Sequence, residues 1–326
     1  MEPNIKWGIV GPGKIAHSFV ADLNLVPSAQ LMAVASRSGE RARKFADAYG
    51  VTHAFDNYRD LFTCEEVDVV YISTPHTSHA ELAITAMQHG KHVLCEKPMG
   101  VNRKEVEQMI QASKEHNVFL MEALWSRFNP AIQKVGSLID QGTIGAIKYL
   151  HADFAFYALD HDGKGRLLNP GLAGGSLLDI GIYPVFLSYL VLGMPKEIKA
   201  SSQFHTTGVE IQTSMLLTYE NAQAVLYSGL TSKSEMKAEI SGTDGTLYLH
   251  PRWHQAQGYS LEKNGETTHF QLPTLGKGYS HEIMEVHHCI KQQRMESNLW
   301  SHQNSLDLME ILDKIRSQTG IVFPFE

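Results

Sequence analysis

Residues 5–10, IKWGIV, form an apolar run that breaks directly into Gly11-Pro12-Gly13-Lys14-Ile15-Ala16 and then into the helical pattern HSFVADL. A strand that enters a helix through a two-glycine turn, at the start of a longer strand–helix alternation, leaves few folds open. Gly11-x-Gly13-x-x-Ala16 reads as a dinucleotide fingerprint: Gly11 for the tight turn, Gly13 for close approach of a pyrophosphate, Ala16 for packing of helix on strand. The first N–H groups of that helix, at Lys14 and Ile15, have no partner within it and suit a phosphate.

The alternation continues through LMAVASRS and the helix ERARKFADAYG, THAF with YRDLF, VDVVYIS with a helix ending at MQHG, KHVLCEKP with VNRKEVEQMIQASKEHN, and finally VFLMEAL. Units of this kind build a parallel sheet whose ligands lie outside the carboxyl ends of the strands. Thr74, Pro75, His76, Glu96, Lys97 and Glu122 all fall at such ends, with His79 one turn further on. At the end of the second strand, roughly 20 residues past the glycines, NAD-binding proteins place an acid for the ribose 2'-hydroxyl. Ser36, Arg37 and Ser38 stand there instead, with Arg41 beyond. A guanidinium and two hydroxyls suit a 2'-phosphate, so NADP(H) is favoured, with NAD(H) the alternative. Arg37 and Arg41 could also simply solvate the start of the next helix.

After WSRFNPAIQKVGSLIDQG the pattern changes to strands: IKYLHADFAF, EIKASSQFHTT, EIQTSMLLTYENAQAVLYSGL, MKAEISGTDGTLYLH and YSLEKNGETTHFQL. Asp244-Gly245 and Asn264-Gly265 mark hairpins. The expected fold is α/β: an N-terminal Rossmann-type doubly wound parallel sheet over 1–123, then a C-terminal α+β domain over 124–326 with a mostly antiparallel open sheet of five or six strands. Apolar positions in SMLLTY and AVLYSGL predict a covered sheet face, hence a homodimer.

Composition removes several partners. A net charge of -7, from 28 basic and 35 acidic residues without a long single-sign block, argues against nucleic acid and a polybasic membrane patch. The sequence has no uninterrupted apolar run of about 18 residues, and MEPNIKWGIVG lacks a secretory signal, so a cytoplasmic protein is expected. Cys64, Cys95 and Cys289 are isolated, which predicts neither disulfides nor a zinc site. The histidine-rich HEIMEVHH from His281 does not have H-E-x-x-H spacing, because Glu285 stands four residues after His281, and no metal is expected.

Two positions ask for a reason. Lys97 sits between an acid and a proline at a buried strand's end, where a lysine could merely snorkel beside Glu96. In NPGLAGGSLLDIGIYPVFLSYLVLG, Asp179 and Tyr183 are four apart, on one face of an otherwise apolar helix. Asp179 could satisfy amides of the preceding loop, and Tyr183 could be a packed aromatic.

GIVGPGKIA, STPHTSHAELAITAMQHGKHVLCEKP and GGSLLDIGIYP resemble the Gfo/Idh/MocA oxidoreductase family over essentially the whole chain. EALWSRFNP, GYSHEIMEVHHCI and ESNLWSHQNSLDLMEILDKIR are similar to its dimeric dihydrodiol dehydrogenase and NADP-dependent D-xylose dehydrogenase branch. The resemblance implies that Lys97 is catalytic, that Asp179 belongs to the site and that Tyr183 is the acid/base, where many relatives carry histidine. It implies Glu96, Glu122 and Arg127 near the cofactor, and Trp125, Phe154 and Tyr279 in an aromatic substrate pocket.

The chemistry agrees with those roles. Removing hydride from a carbinol carbon requires loss of the hydroxyl proton, and a tyrosine of ordinary pKa about 10 is a poor base until a cation lowers it. The expected function is hydride transfer between NADP(H) and a sugar or vicinal diol. A cofactor-dependent glycoside hydrolase and a non-catalytic NADPH-sensing regulator are the alternatives.

Overall fold

The computed structural model describes residues 4–160 and 165–326. Its first sheet has six parallel strands: β1 (Ile5–Val10), β2 (Ala29–Ala35), β3 (His53–Phe55), β4 (Val69–Ile72), β5 (His92–Glu96) and β6 (Leu120–Ala123), in the order β3-β2-β1-β4-β5-β6. Helices α1 (Lys14–Leu23), α2 (Gly39–Tyr49), α3 (Tyr58–Thr63), α4 (His79–Gln88) and α5 (Arg103–His116) make the connections. This is the doubly wound order, which reverses direction at β1 and β4 and opens a crevice at their carboxyl ends. β4, VVYI, is buried at every position, as a strand covered on both faces must be.

The chain continues through α6 (Pro130–Asp140), β7 (Ile147–Ala155), α7 (Ile182–Leu192) and β8 (Glu197–Phe204). Then come β9 (Glu210–Thr218), β10 (Gln223–Gly229), β11 (Ala238–Gly242), β12 (Thr246–Leu249), β13 (Gly258–Lys263) and β14 (Glu266–Gln271), before α8 (Tyr279–Lys291) and α9 (His302–Thr319). β7 to β14 form one eight-stranded sheet, β14-β13-β12-β11-β7-β10-β9-β8, antiparallel except where β10 runs parallel to β7. It is larger than the expected five or six strands because three of the five strand segments each fold back as a hairpin, β9 with β10, β11 with β12 and β13 with β14. At one of these turns Asn264 and Gly265 both take positive φ, 55° and 80°.

Two compact units result, one comprising the chain through Phe128 with Leu275–Leu306, the other Asn129–Thr274 with Asp307–Glu326. The division differs from 1–123 and 124–326 mainly in that residues 275–306 pack with the first sheet. The cause lies in long-range polar contacts. The Asp22 carboxylate accepts the backbone N–H groups of Lys277, Gly278, Tyr279 and Ser280 at 2.8–3.3 Å, capping α8. Trp7 Nε1 donates to His287 Nε2 at 2.9 Å, and His287 Nδ1 faces Ser28 Oγ at 3.0 Å.

Pro170–Leu192 is long and apolar enough for a membrane crossing, although no uninterrupted apolar run was expected, and 78 % of its most apolar window is buried inside the protein. Its apolar surface is accounted for by packing: α7 contacts β7 and β10.

Candidate active site

In the first unit the expected cofactor residues gather at the carboxyl edge of the sheet. Gly11 has φ 90°, and a Cβ there would stand 2.9 Å from Thr74 Cγ2, so both conformation and space demand glycine. Its N–H donates to Ala35 O and its carbonyl accepts from Ser73 Oγ, fixing the turn between β2 and β4. Gly13 is different: its φ is -87°, and a Cβ would find only Ser73 O, at 4.0 Å. Nothing among the described residues crowds that position, and α1 begins there without a side-chain cap. Thr74 Oγ1, just past the end of β4, is buried and has no hydrogen-bond partner among the described residues. Bare helix N–H groups at Lys14 and Ile15 and an orphaned hydroxyl beside a glycine turn fit the phosphates of a dinucleotide.

Beyond β2, Ser36 is buried, its Oγ accepting from Ser38 N–H, while Ser38 Oγ caps α2 by accepting from Arg41 N–H. The Arg37 and Arg41 side chains are exposed. His76 and His79 are both buried. His79 Nδ1 lies 2.9 Å from Pro98 O and Nε2 2.9 Å from Thr74 O. This imidazole ties the end of β4, before Pro75, to the turn after β5.

That turn is built on Glu96, Lys97 and Pro98. Glu96 accepts the Tyr71 hydroxyl in a short hydrogen bond and the Lys97 N–H at 3.1 Å. Lys97 itself is half-buried. Glu122 lies at the adjoining end of β6, and its two oxygens accept from Met99 N–H, Ser305 Oγ and Trp300 Nε1. Burial raises the Glu122 carboxyl, against those three hydrogen bonds and the Lys97 charge. It supports the turn by gripping Met99. Arg127 Nε donates to Leu299 O at 2.8 Å, and Trp125 stacks on Tyr279 with centroids 4.7 Å apart.

The second unit holds Asp179, Tyr183 and Phe154. Leu177–Gly181 is a π-helical turn that passes into α7, so Asp179 stands on a wider turn than the regular helix expected from the spacing. Its direct partner is Arg166, whose Nη1 donates to Oδ1 at 2.8 Å. The turn is anchored by Glu210, buried on β9, which accepts Ser176 Oγ, Leu177 N–H and Thr213 Oγ1. Tyr183, 5 % exposed, lies 5.5 Å from both Phe154 and His254, and those two rings stack at 4.2 Å.

The aromatic trio is therefore divided, with Trp125 and Tyr279 in the first unit and Phe154 beside Tyr183 in the second. Sequence reasoning missed Arg166, Glu210 and His254. None of the three carried a local signal: Glu210 opens a strand that also holds Gln212, Thr213, Ser214 and Thr218, so its acid does not stand out there. Among the described residues no group of three or more His, Cys, Asp or Glu side chains could hold a metal.

Residues 5–124 match the model of the oxidoreductase family with an NAD-binding Rossmann fold, GFO_IDH_MocA, and residues 132–248 match the GFO/IDH/MocA C-terminal domain. The chain is 36% identical over 333 residues to trans-1,2-dihydrobenzene-1,2-diol dehydrogenase of Mus musculus, covering 98% of each chain. The chain belongs to the Gfo/Idh/MocA oxidoreductase family. Within it, the scyllo-inositol 2-dehydrogenase (NADP(+)) of Bacillus subtilis is 34% identical, again with 98% of each chain covered. Among solved Gfo/Idh/MocA-like structures, a 3-ketoreductase from Actinomadura kijaniata in complex with NADP and TDP-benzene superposes with a TM-score of 0.88 at 26% identity, over 97% of this chain and 98% of that one. The enzyme class is thus an NAD(P)-dependent oxidoreductase.

Proposed function

We propose that this oxidoreductase uses NADP(H) to interconvert a secondary hydroxyl and a carbonyl on a sugar or vicinal diol, with Lys97 and Tyr183 as its acid–base pair. The observation that carries the reading is full-length likeness to diol and inositol dehydrogenases in a chain that keeps both a lysine at the end of β5 and a buried tyrosine on α7. Gly11, Gly13, Lys14, Ile15, Thr74, Pro75, His76 and His79 would hold the dinucleotide; Ser36, Arg37 and Arg41 would take its 2'-phosphate, and Glu96, Glu122 and Arg127 would frame it. NAD(H) remains the weaker cofactor because Ser36-Arg37-Ser38 occupies the place directly after β2 where an acid would grip the ribose. When bound, the cofactor accepts or returns the hydride.

Tyr183 takes the proton of the reacting hydroxyl and returns it in the reverse direction. The Lys97 ammonium stabilises the oxyanion and favours the phenolate, and Asp179, held by Arg166, accepts from a second substrate hydroxyl. Trp125, Phe154 and Tyr279 supply aromatic faces for a sugar or a planar diol. NADP+ reduction followed by nicotinamide absorbance over D-xylose, D-glucose, inositol and cyclohexane or cyclohexadiene diols tests the reading, with NAD+ run in parallel. Steady accumulation of NADPH with at least one of them is expected; glycoside cleavage without net NADPH would reject it.

We also infer a homodimer acting in the cytoplasm. Leu216 and Val225 share a row across the outer face of the second sheet, with Tyr149 and Tyr227 beside them, and Val225 is 41 % exposed. A hollow of about 660 Å³ lined by His151, Asp153, Tyr248, His250, Ser260 and His269 lies in the same sheet. Three free cysteines suit a reducing compartment. A sedimentation mass of one chain would remove the dimer.

A further inference from the structure

Helix α8 carries an acid that the chemistry above does not use. Glu282 is fully buried, and among the described residues neither carboxyl oxygen has a hydrogen-bond partner. An uncompensated buried carboxylate is among the most costly groups a fold can contain. Two other buried acids stand near it, Asp22 from α1 and Glu96 from the end of β5. Both have donors: Asp22 takes four backbone N–H groups of the α8 cap, and Glu96 takes the Tyr71 hydroxyl and Lys97 N–H. Three neighbouring buried carboxyl groups do not all ionise, and the one lacking protein donors retains its proton.

We propose that Glu282 is a neutral carboxylic acid at physiological pH and a positioning residue for the Glu96-Lys97 turn, because its proton leaves Glu96 as the ionised acceptor there. The positioning role rests on the reading of Lys97 given above; the proton on Glu282 does not.

The wall between the two glutamates is tightly built. Tyr71 stacks on Phe19 at 3.7 Å, with planes 6° apart, and donates to Glu96. Burial first, then Glu96 and Asp22, push the Glu282 carboxyl well above the ordinary range. The Tyr71 phenol is raised by burial and then by Glu96, Tyr279 and Glu282, so it stays a donor. On α8 itself the other titratable groups are His281, Glu285, which accepts from Ser297, His287, His288 and Lys291, while the elements packed on it add Lys14 and His17 of α1 and Arg127 of the turn Trp125–Phe128, which donates to Leu299 O. When Glu282 loses its proton to solvent, a second negative charge enters the wall that holds Glu96. Either α8 shifts or Glu96 takes up a proton, and both outcomes disturb the acceptor for Tyr71 and Lys97 N–H.

The test compares wild type with Glu282→Gln, which imitates the neutral acid, and Glu282→Met, which removes the polar atoms. A carboxyl whose folded pKa is raised stabilises the fold below its unfolded pKa and loses that contribution as pH climbs to the folded value. Between about pH 6 and about pH 9, the Tm of the cofactor-free full chain should therefore fall further for wild type than for either variant. Parallel curves for all three would overturn the buried proton, as would an infrared spectrum at neutral pH lacking a protonated-carboxyl band that Glu282→Gln removes. For the positioning role, the alkaline limb of kcat/KM on the best substrate of the panel should move up by about one pH unit in Glu282→Gln. An unmoved limb alongside the expected Tm difference would overturn that role alone, leaving the reading of Lys97 to its own substitution.

Discussion

The two units reach their candidate site residues by opposite routes. In the first, topology alone delivers Gly11, Thr74, Glu96 and Glu122 to one edge, because parallel strands end there and the polypeptide must turn. In the second, the neighbourhood of Tyr183 is assembled from separate stretches: Arg166 from a loop, Asp179 from a π turn, Phe154 from β7, His254 from the segment after β12 and Glu210 from β9. A site on strand ends tolerates change at one residue without losing its frame. A site made by packing couples chemistry to folding, and that difference can be measured.

The largest effect is expected at the proposed reacting pair. Lys97→Met and Tyr183→Phe should each lower kcat by about 10²- to 10⁴-fold, the usual contribution of a positioned proton-transfer group. The comparison adds a second readout: neither should change Tm much, since Lys97 lies half-buried on a turn and Tyr183→Phe keeps the ring against Phe154 and His254. Wild-type turnover in either variant would end the assignment.

Glu210→Ala should behave differently. It strands the Ser176 and Thr213 hydroxyls and the Leu177 N–H in a buried setting, so a loss of about 3 kcal/mol of stability is expected. Because the same carboxylate anchors the turn that carries Asp179, turnover should fall together with Tm. If Tm falls and kcat per folded molecule holds, the second unit's site is as modular as the first and the contrast fails.

Much of the first unit was legible because its signals are local. Strand–helix alternation gave the parallel sheet, and the glycine spacing gave a turn whose φ of 90° at Gly11 requires it. The Asn264-Gly265 hairpin was legible for the same reason. What escaped was non-local. Nothing near Asp22 announces that it will cap a helix more than 250 residues away, yet that bond draws 275–306 into the first unit. The parallel pairing of β7 with β10 and the Arg166–Asp179 bridge likewise depend on which segments meet, which residue period does not report. Lys97 and Tyr183 could be nominated from motif and chemistry; that they serve one substrate oxygen is the part the substitutions must decide.

Helix α8 sharpens the comparison from within one element, since it also carries His287. Burial and then Lys291 depress that imidazole to about 4, so it is neutral at pH 7, accepting from Trp7 at Nε2 and donating from Nδ1 to Ser28. A histidine lowered in the folded state stabilises it above the unfolded pKa of about 6.5, and the contribution is lost as pH falls toward about 4. Melting of the first unit should therefore begin to weaken below about pH 6.5. In His287→Gln, which does not titrate, that acid slope should flatten. An unchanged slope would show that 275–306 is held by the Asp22 cap alone.

The smallest effect is expected at Arg37. Its side chain is exposed, so Arg37→Ala should leave Tm unchanged and weaken NADP+ by about tenfold, or about 1.4 kcal/mol, while NAD+ affinity holds. The preference between cofactors is the informative quantity, because a general loss of the nucleotide site would lower both affinities alike. The Ser36 and Ser38 hydroxyls accept from Ser38 N–H and Arg41 N–H and keep their own O–H to donate, but a ribose hydroxyl accepts such a bond as well as a phosphate does, so the charge of Arg37 and Arg41 is what separates a 2'-phosphate from a hydroxyl. If Arg37→Ala loses NADP+ and NAD+ equally, or loses Tm, the edge after β2 is a packed structure like the second unit, and the claim that strand-end residues act one at a time gives way there first.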